Sequence, residues 1–173
     1  MQAASRQVKR SRFTGARRAP GATPADAIGL LRSDFKTATA LLEQLEDARS
    51  TSEKRALVRR LCVALSVHAQ LGDELLLPAL RKALRDPVLL SRVDGQQSAL
   101  RSLVAEVQET EPLDADYAEN LRLISEHLRH HLEEQDEMFP DAPPKTGTGA
   151  LATQLADRKR QLLAELSEFG GWD

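Results

Sequence analysis

Four stretches of this chain repeat apolar side chains every three or four residues, which is the period of an α-helix and not the two-residue period of a strand. The most regular stretch alternates steps of four and three, the spacing of a bundle seam: Tyr117, Leu121, Ile124, Leu128, His131, Gln135 and Met138. The first stretch has a similar stripe at Ile28, Leu31, Phe35, Ala38, Leu42 and Leu45. Strand-forming residues are sparse, and aromatic residues make up only 3% of the chain. The pattern predicts an all-α fold, an up-down four-helix bundle with one additional C-terminal helix.

Capping and helix-breaking residues mark the ends of these helices. Thr23 can cap the first helix, and Ser50 with Glu53 three residues later forms a capping-box pattern at the start of the second. Pro78 lies inside the second helix and is expected to kink it or to end its regular part. Asp114 is a candidate cap for the fourth helix. The predicted helices cover about residues 23–45, 50–84, 88–109, 114–138 and 150–168.

The composition divides the chain into three parts. Residues 1–22 contain six basic residues and no acidic ones, and they lack apolar periodicity, so we predict a disordered basic arm. Residues 23–142 form the predicted bundle. Residues 143–173 begin as a linker by composition and continue as an amphipathic helix.

Compartment is indicated by cysteine usage and hydropathy. The single cysteine, Cys62, occupies an apolar helical position, so no internal disulfide can form. No apolar run approaches the roughly 18 to 20 residues that cross a bilayer. Both features favour a cytoplasmic protein without membrane contact. An arginine-rich N-terminus free of acids also resembles an organellar transit peptide, and that alternative stays open.

The four histidines are the main chemical signal. His68 lies on the second predicted helix, and His127, His130 and His131 lie on the fourth. In a bundle, metal ligands come from inward positions of facing helices, and a His followed four residues later by a carboxylate places two ligands on one face. His130 and Glu134 have this spacing. The chain has no nucleophile elbow, phosphate loop or Cys-x-x-Cys pair, so we expect no catalytic residues and no enzyme activity.

Three segments of the chain resemble motifs of the hemerythrin-like HHE cation-binding family. Residues 67–80, VHAQLGDELLLPAL, are similar to its second-helix motif. Residues 128–140, LRHHLEEQDEMFP, are similar to the fourth-helix motif of paired histidines, an acidic stretch and Phe-Pro. Residues 30–35, LLRSDF, match a first-helix pattern in which an aspartate precedes a ligand histidine. The resemblance covers about residues 25–142 and implies a bundle that binds non-heme iron, with roles in oxygen or nitric oxide binding, sensing or iron handling.

Three of the ligand positions implied by this resemblance are altered. Phe35 stands in place of a ligand histidine, Gly72 in place of a ligand glutamate, and Gln97 at the best match to a third-helix histidine. A di-iron centre needs carboxylates that bridge two cations and offset their charge. We therefore expect no di-iron centre.

The fourth helix admits two registers. Counting back from its terminal proline, as in the second helix, makes His130 and Glu134 the ligand pair. The phase of the apolar seam instead points to His131 and Gln135, and we favour this register because helix phase sets burial. In the first register, His68 completes a site for one divalent ion such as iron or zinc. In the second register, the imidazoles of His68 and His131 remain, and no carboxylate is left to bridge two ions.

Two functions therefore stay open from the sequence. One is a divergent cation-binding domain with a mononuclear or absent site, and the other is a metal-free helical scaffold that binds a protein partner or serves in regulation. In the scaffold, His68 would need a buried hydrogen-bond partner, for which Gln97 and Gln135 are candidates. Nucleic-acid binding by the basic arm is least favoured, because Phe13 is its single aromatic residue.

Overall fold

The computed structural model of the chain describes residues 24–83, 85–110, 114, 116–138 and 149–169. Its elements are α1 (Pro24–Asp47), α2 (Thr51–Leu71), a π-helical segment (Gly72–Leu76), α3 (Leu77–Ala83), α4 (Pro87–Glu109), α5 (Tyr117–Met138) and α6 (Ala150–Phe169). The described residues contain no strand, which confirms the all-α prediction. The predictions that lie outside the described residues concern the basic arm, the Thr23 cap, the Phe139-Pro140 end of the fourth helix and the linker as far as residue 148.

The long helices form a ring in which neighbours in sequence are neighbours in space. α1 packs against α2 and α5, and α4 packs against the same two helices. This is the predicted up-down bundle, and short connections favour it. α6 lies against α1, α2 and the π-helical segment. None of the described helices is long and apolar enough to cross a bilayer.

Side chains cap two of the helix starts. The Ser50 hydroxyl accepts a hydrogen bond from the Glu53 amide at 3.2 Å, and the Glu53 carboxylate accepts one from the Arg49 amide at 3.2 Å. The predicted capping signal at Ser50 is therefore confirmed. At the start of α4, the Asp86 carboxylate accepts from two backbone amides of the first turn, each at 3.0 Å, a cap that we did not predict.

Pro78 widens the second predicted helix and does not end it. The amide of Leu77 donates to the carbonyl of Gly72, five residues earlier, which is the hydrogen bond of a π-helix. In a regular α-helix the Pro78 ring would clash with the carbonyl four residues earlier, and it has no N–H to donate. The helix therefore continues through a π turn to Ala83.

The interior consists of two apolar clusters with polar side chains between them. The first cluster includes Phe35, Leu42, Leu61, Leu100, Ile124 and Leu128. The second includes Ile28, Leu31, Leu71, Val93 and Leu155, the last from α6. On α2 and α4, the buried polar residues His68 and Gln97 lie between residues of the first cluster and residues of the second. Among the residues whose burial the structure describes, five polar ones are buried, and we call them the polar layer: Asp34, His68, Gln97, His131 and Gln135.

Candidate functional site in the polar layer

The ring of Phe35 lies between the imidazoles of His68 and His131. Its centroid is 4.0 Å from that of His68 and 4.2 Å from that of His131, whereas the two imidazole centroids are 5.9 Å apart. The three side chains come from α1, α2 and α5, and all are buried. Each occupies a position that the apolar spacing of its helix directs inward. The centre of the bundle is therefore filled by three rings in mutual contact.

The structure contains a buried amide–imidazole pair, but its histidine is His131 and not His68, for which such a partner was predicted. The Gln135 amide lies 2.7 Å from Nε2 of His131, on the same face of α5 one turn away. The amide donates to this nitrogen, which places the proton of a neutral ring on Nδ1. We expected Gln135 or Gln97 to serve His68. Instead, neither ring nitrogen of His68 makes a hydrogen bond with any residue that the structure describes, and the same holds for Nδ1 of His131.

The side chain of Gln97 lies against the backbone of Gly72. A Cβ atom at position 72 would lie 2.3 Å from Nε2 and 2.8 Å from Cδ of Gln97, closer than non-bonded atoms approach. Gln97 is buried, and its Oε1 has no hydrogen-bond partner in the described part of the chain. Positions 72 and 97 are therefore complementary in shape, since the absence of a side chain at Gly72 makes room for the amide of Gln97.

Burial keeps the two central imidazoles neutral. The pKa of His68 is well below its usual range, first because of desolvation and then because of the nearby charges of His131 and Lys159. Desolvation lowers the pKa of His131 to about 3, and His127 and His130 act in the same direction. His127 is half-buried, and its ring centroid is 6.2 Å from that of His131. Neutral rings are the form that accepts hydrogen bonds or binds a cation.

Of the other predicted ligand pair, His130 lies on the outer face of α5, whereas the Glu134 side chain is 16% exposed and lies toward α4. The His130 side chain is 65% exposed, and its Nε2 lies 3.5 Å from a carboxylate oxygen of Glu134. The same oxygen accepts from Arg92 of α4 at 2.6 Å. The structure does not bring His130 and Glu134 together with the buried His68, whereas the seam pair faces inward. Within the described ranges, no group of three or more His, Cys, Asp or Glu side chains is arranged to hold a metal ion.

Two residues of this region were missed by the sequence reasoning. Asp34 is 6% exposed, and one of its carboxylate oxygens accepts a hydrogen bond from the ammonium group of Lys159 on α6. Its other oxygen has no hydrogen-bond partner among the described residues. Burial raises the pKa of Asp34, and Lys159 acts in the opposite direction. A sequence signal existed, because Lys159 interrupts the apolar stripe of α6 between Leu155 and Leu162.

A family model described as the hemerythrin HHE cation-binding domain matches residues 26–142, well over half of the chain. The chain belongs to the hemerythrin HHE family. The match ends before α6, so the HHE domain comprises the four-helix ring, and Lys159 enters its interior from outside the matched segment. No curated protein and no solved structure matches the chain.

The interior of this HHE domain does not fit a two-iron centre. The ring of Phe35 packs against both buried imidazoles and takes up the volume beside them. Gln97 and Gln135 supply neutral amides, which cannot offset the charge of two cations as carboxylates do. Within the polar layer Asp34 is the one acidic residue, and it is paired with Lys159.

Proposed function

We propose that this protein is a hemerythrin-family bundle that has lost the di-iron centre and acts as a metal-independent helical scaffold in protein interaction or regulation. The observation that carries this proposal is the position of Phe35, whose ring packs 4.0 and 4.2 Å from the two buried imidazoles. An ion between His68 and His131 would need the volume that this ring occupies. Displacing the ring would forfeit the dispersion contacts of a fully buried aromatic side chain.

The charges of the polar layer support the same function. A divalent ion in a low-dielectric interior needs anionic ligands that compensate its charge. Asp34 is the one carboxylate in the layer, and the Lys159 ammonium already neutralises it. This ammonium would also repel an incoming metal cation at short range.

A single iron or zinc ion is the second candidate, and one observation favours it. The two ring nitrogens of His68 and Nδ1 of His131 are buried without a hydrogen-bond partner in the described residues. Buried polar groups of this kind carry a free-energy cost, which a bound cation would remove. The side-chain amide oxygen Oε1 of Gln135, also without a partner in the described part of the chain, would be a third neutral donor.

Metal content after reconstitution distinguishes these functions. The full chain is incubated anaerobically with ferrous iron, and separately with zinc, then desalted and measured by mass spectrometry. His68→Ala removes the buried ring, and His130→Ala is the matched control on the exposed face. We expect no stoichiometric metal in any of the three proteins, and the same melting temperature with and without a chelator.

The alternative outcomes are equally specific. One ion per chain that is lost in His68→Ala and kept in His130→Ala would establish the second candidate. Two irons per chain would overturn the loss of the di-iron centre.

A further inference from the structure

The side chain of Lys159 brings a positive charge from α6 into the polar layer. Its ammonium group donates to Asp34, which lies 125 residues earlier in the chain. Its charge also lowers the pKa of His68, after the larger effects of desolvation and His131. The Lys159 side chain is 35% exposed and the Asp34 side chain 5%, so an ammonium group at the edge of the bundle contacts a buried carboxylate.

The neighbouring residue of α6 makes a second contact beside the altered centre. Arg158 Nε lies 2.8 Å from a carboxylate oxygen of Glu74, in the π-helical segment. Glu74 is two residues from Gly72, and Asp34 is next to Phe35. Consecutive residues of α6 therefore contact the two segments that carry altered first-helix and second-helix ligand positions.

α6 is fixed in this position by apolar burial. Leu151, Leu155 and Leu162 are buried and belong to the second apolar cluster, which also contains residues of α1, α2 and α3. Because α6 follows the segment matched by the family model, the charge that it delivers is an addition to the HHE domain. A carboxylate as buried as Asp34 would be costly without a cation beside it.

We propose that Lys159 is a built-in cation, whose ammonium group takes the electrostatic place of a metal ion beside Asp34, and that α6 is the element that holds it there. This inference rests on the proposed function and deepens it, because it names the group that replaces the metal. Lysine suits the role, since its ammonium is a compact point charge on a flexible stem. The site is thus an acidic cation site whose occupant belongs to the chain.

A double-mutant cycle on the full chain tests the pairing. Lys159→Met keeps the length of the side chain and removes its charge, and Asp34→Asn removes the charge of its partner. We expect Lys159→Met to lower the melting temperature by roughly 5 °C or more. Lys159→Met in an Asp34→Asn background should cost much less, since the buried group is then neutral. Arg160→Met is the matched control, because Arg160 lies on the same helix, is 79% exposed and pairs with Asp157 one turn away.

An added cation tests the replacement itself. Zinc ions should raise the melting temperature of Lys159→Met, because the buried carboxylate of Asp34 then lacks a cation, and the nitrogens of His68 have no hydrogen-bond partner among the described residues. They should leave the wild type and the double variant unchanged. Zinc stabilisation of the wild type equal to that of Lys159→Met would overturn the inference.

The remaining outcomes also decide the matter. If Lys159→Met melts like Arg160→Met, or if the effects in the cycle are strictly additive, the Lys159 ammonium does not stabilise Asp34. The metal content of the wild type would still test the proposed function separately. If Lys159→Met does not fold, folding of the Lys159→Met/Asp34→Asn double variant supports the inference, and failure of both variants contradicts it. Metal bound by the wild type, with a strong coupling in the cycle, would overturn the metal-independent function and leave the ion pair as a structural contact.

Discussion

The amide group of Gln97 occupies the space that a side chain at Gly72 would fill, with only 2.3 Å between its Nε2 and the position of a Cβ atom on the glycine. Positions 72 and 97 of this HHE domain are therefore physically coupled. A side chain cannot be introduced at Gly72 unless Gln97 moves or is shortened, and Gln97 is buried in the bundle. A change at one of these positions therefore requires a change at the other.

This coupling predicts the effect of adding one methyl group. Gly72→Ala should lower the free energy of unfolding by about 1 to 3 kcal/mol, because the methyl group must displace a buried amide. In a Gln97→Ala background the same change should be neutral or stabilising. Gly95→Ala is the control, since Gly95 is also helical and nothing lies within 4 Å of its Cβ position. It should stabilise the protein by about 0.5 to 1 kcal/mol. Urea denaturation measures the free energy of unfolding of Gly72→Ala, Gln97→Ala, the double variant and Gly95→Ala. Equal losses of stability for Gly72→Ala in both backgrounds would refute the coupling.

Features that depend on helix phase could be predicted from the sequence. The buried residues of α4 recur every three or four positions, the period that marks one face of a helix in the sequence: Val93, Gln97, Leu100, Val104 and Val107. Phase along α5 likewise places His131 and Gln135 inside and leaves His130 exposed. Periodicity is a local property, so a single sequence carries it.

Features that depend on how the helices dock could not be predicted. The contact between Lys159 and Asp34 joins residues 125 positions apart, and it exists only because α6 lies over α1. The sequence likewise shows that Pro78 disturbs its helix, but not whether the helix ends or widens. Burial of Leu77 and Leu80 in the core beside Pro78 favours continuation through a π turn.

Alkaline pH should destabilise the protein through its one cysteine. Burial raises the pKa of Cys62 to about 11 from an ordinary value of 9.0. A group whose pKa is higher in the folded state contributes its full stability below the unfolded pKa and loses it as pH rises through the folded pKa. The free energy of unfolding should therefore fall between pH 9 and pH 11, by up to about 1.4 kcal/mol per pH unit. Urea denaturation across this range should give a flatter profile for Cys62→Ala, and parallel profiles for the two proteins would contradict the assignment.

The hydroxyl of Tyr117 is expected to contribute nothing to stability. It is buried and has no hydrogen-bond partner within the described ranges, and burial raises the pKa of this side chain. Tyr117→Phe should therefore be neutral or stabilising by up to about 1 kcal/mol. Tyr117→Ala, which also removes the ring, should cost about 3 to 5 kcal/mol. Tyr117 is the one tyrosine of the chain, so its absorbance at alkaline pH follows its titration directly. A clear loss of stability in Tyr117→Phe would mean that the hydroxyl has a partner.

The role of Phe35 as the group that blocks the centre leads to the most direct test. Phe35→Ala should cost about 3 to 5 kcal/mol, because it removes a fully buried ring and its contacts with both imidazoles. It also opens the space between His68 and His131 without adding a ligand. If the ring is what excludes an ion, nickel should raise the melting temperature of Phe35→Ala. At a nickel concentration 100-fold above its dissociation constant, the added stability would be about 2.7 kcal/mol. Phe35→Leu, which keeps part of the volume, should respond less.

The nickel response must also depend on the buried imidazole, so His68→Ala in the Phe35→Ala background should abolish it. His130→Ala in that background should leave it intact, because the His130 side chain is 65% exposed on the outer face of α5. Equal nickel stabilisation of the wild type and Phe35→Ala would show that the ring does not exclude the ion, and the metal-independent function would then be wrong. Stabilisation confined to the variants that lack the ring would show that Phe35 keeps an ion away from the two imidazoles, since all five polar-layer residues are the same in the wild type and Phe35→Ala.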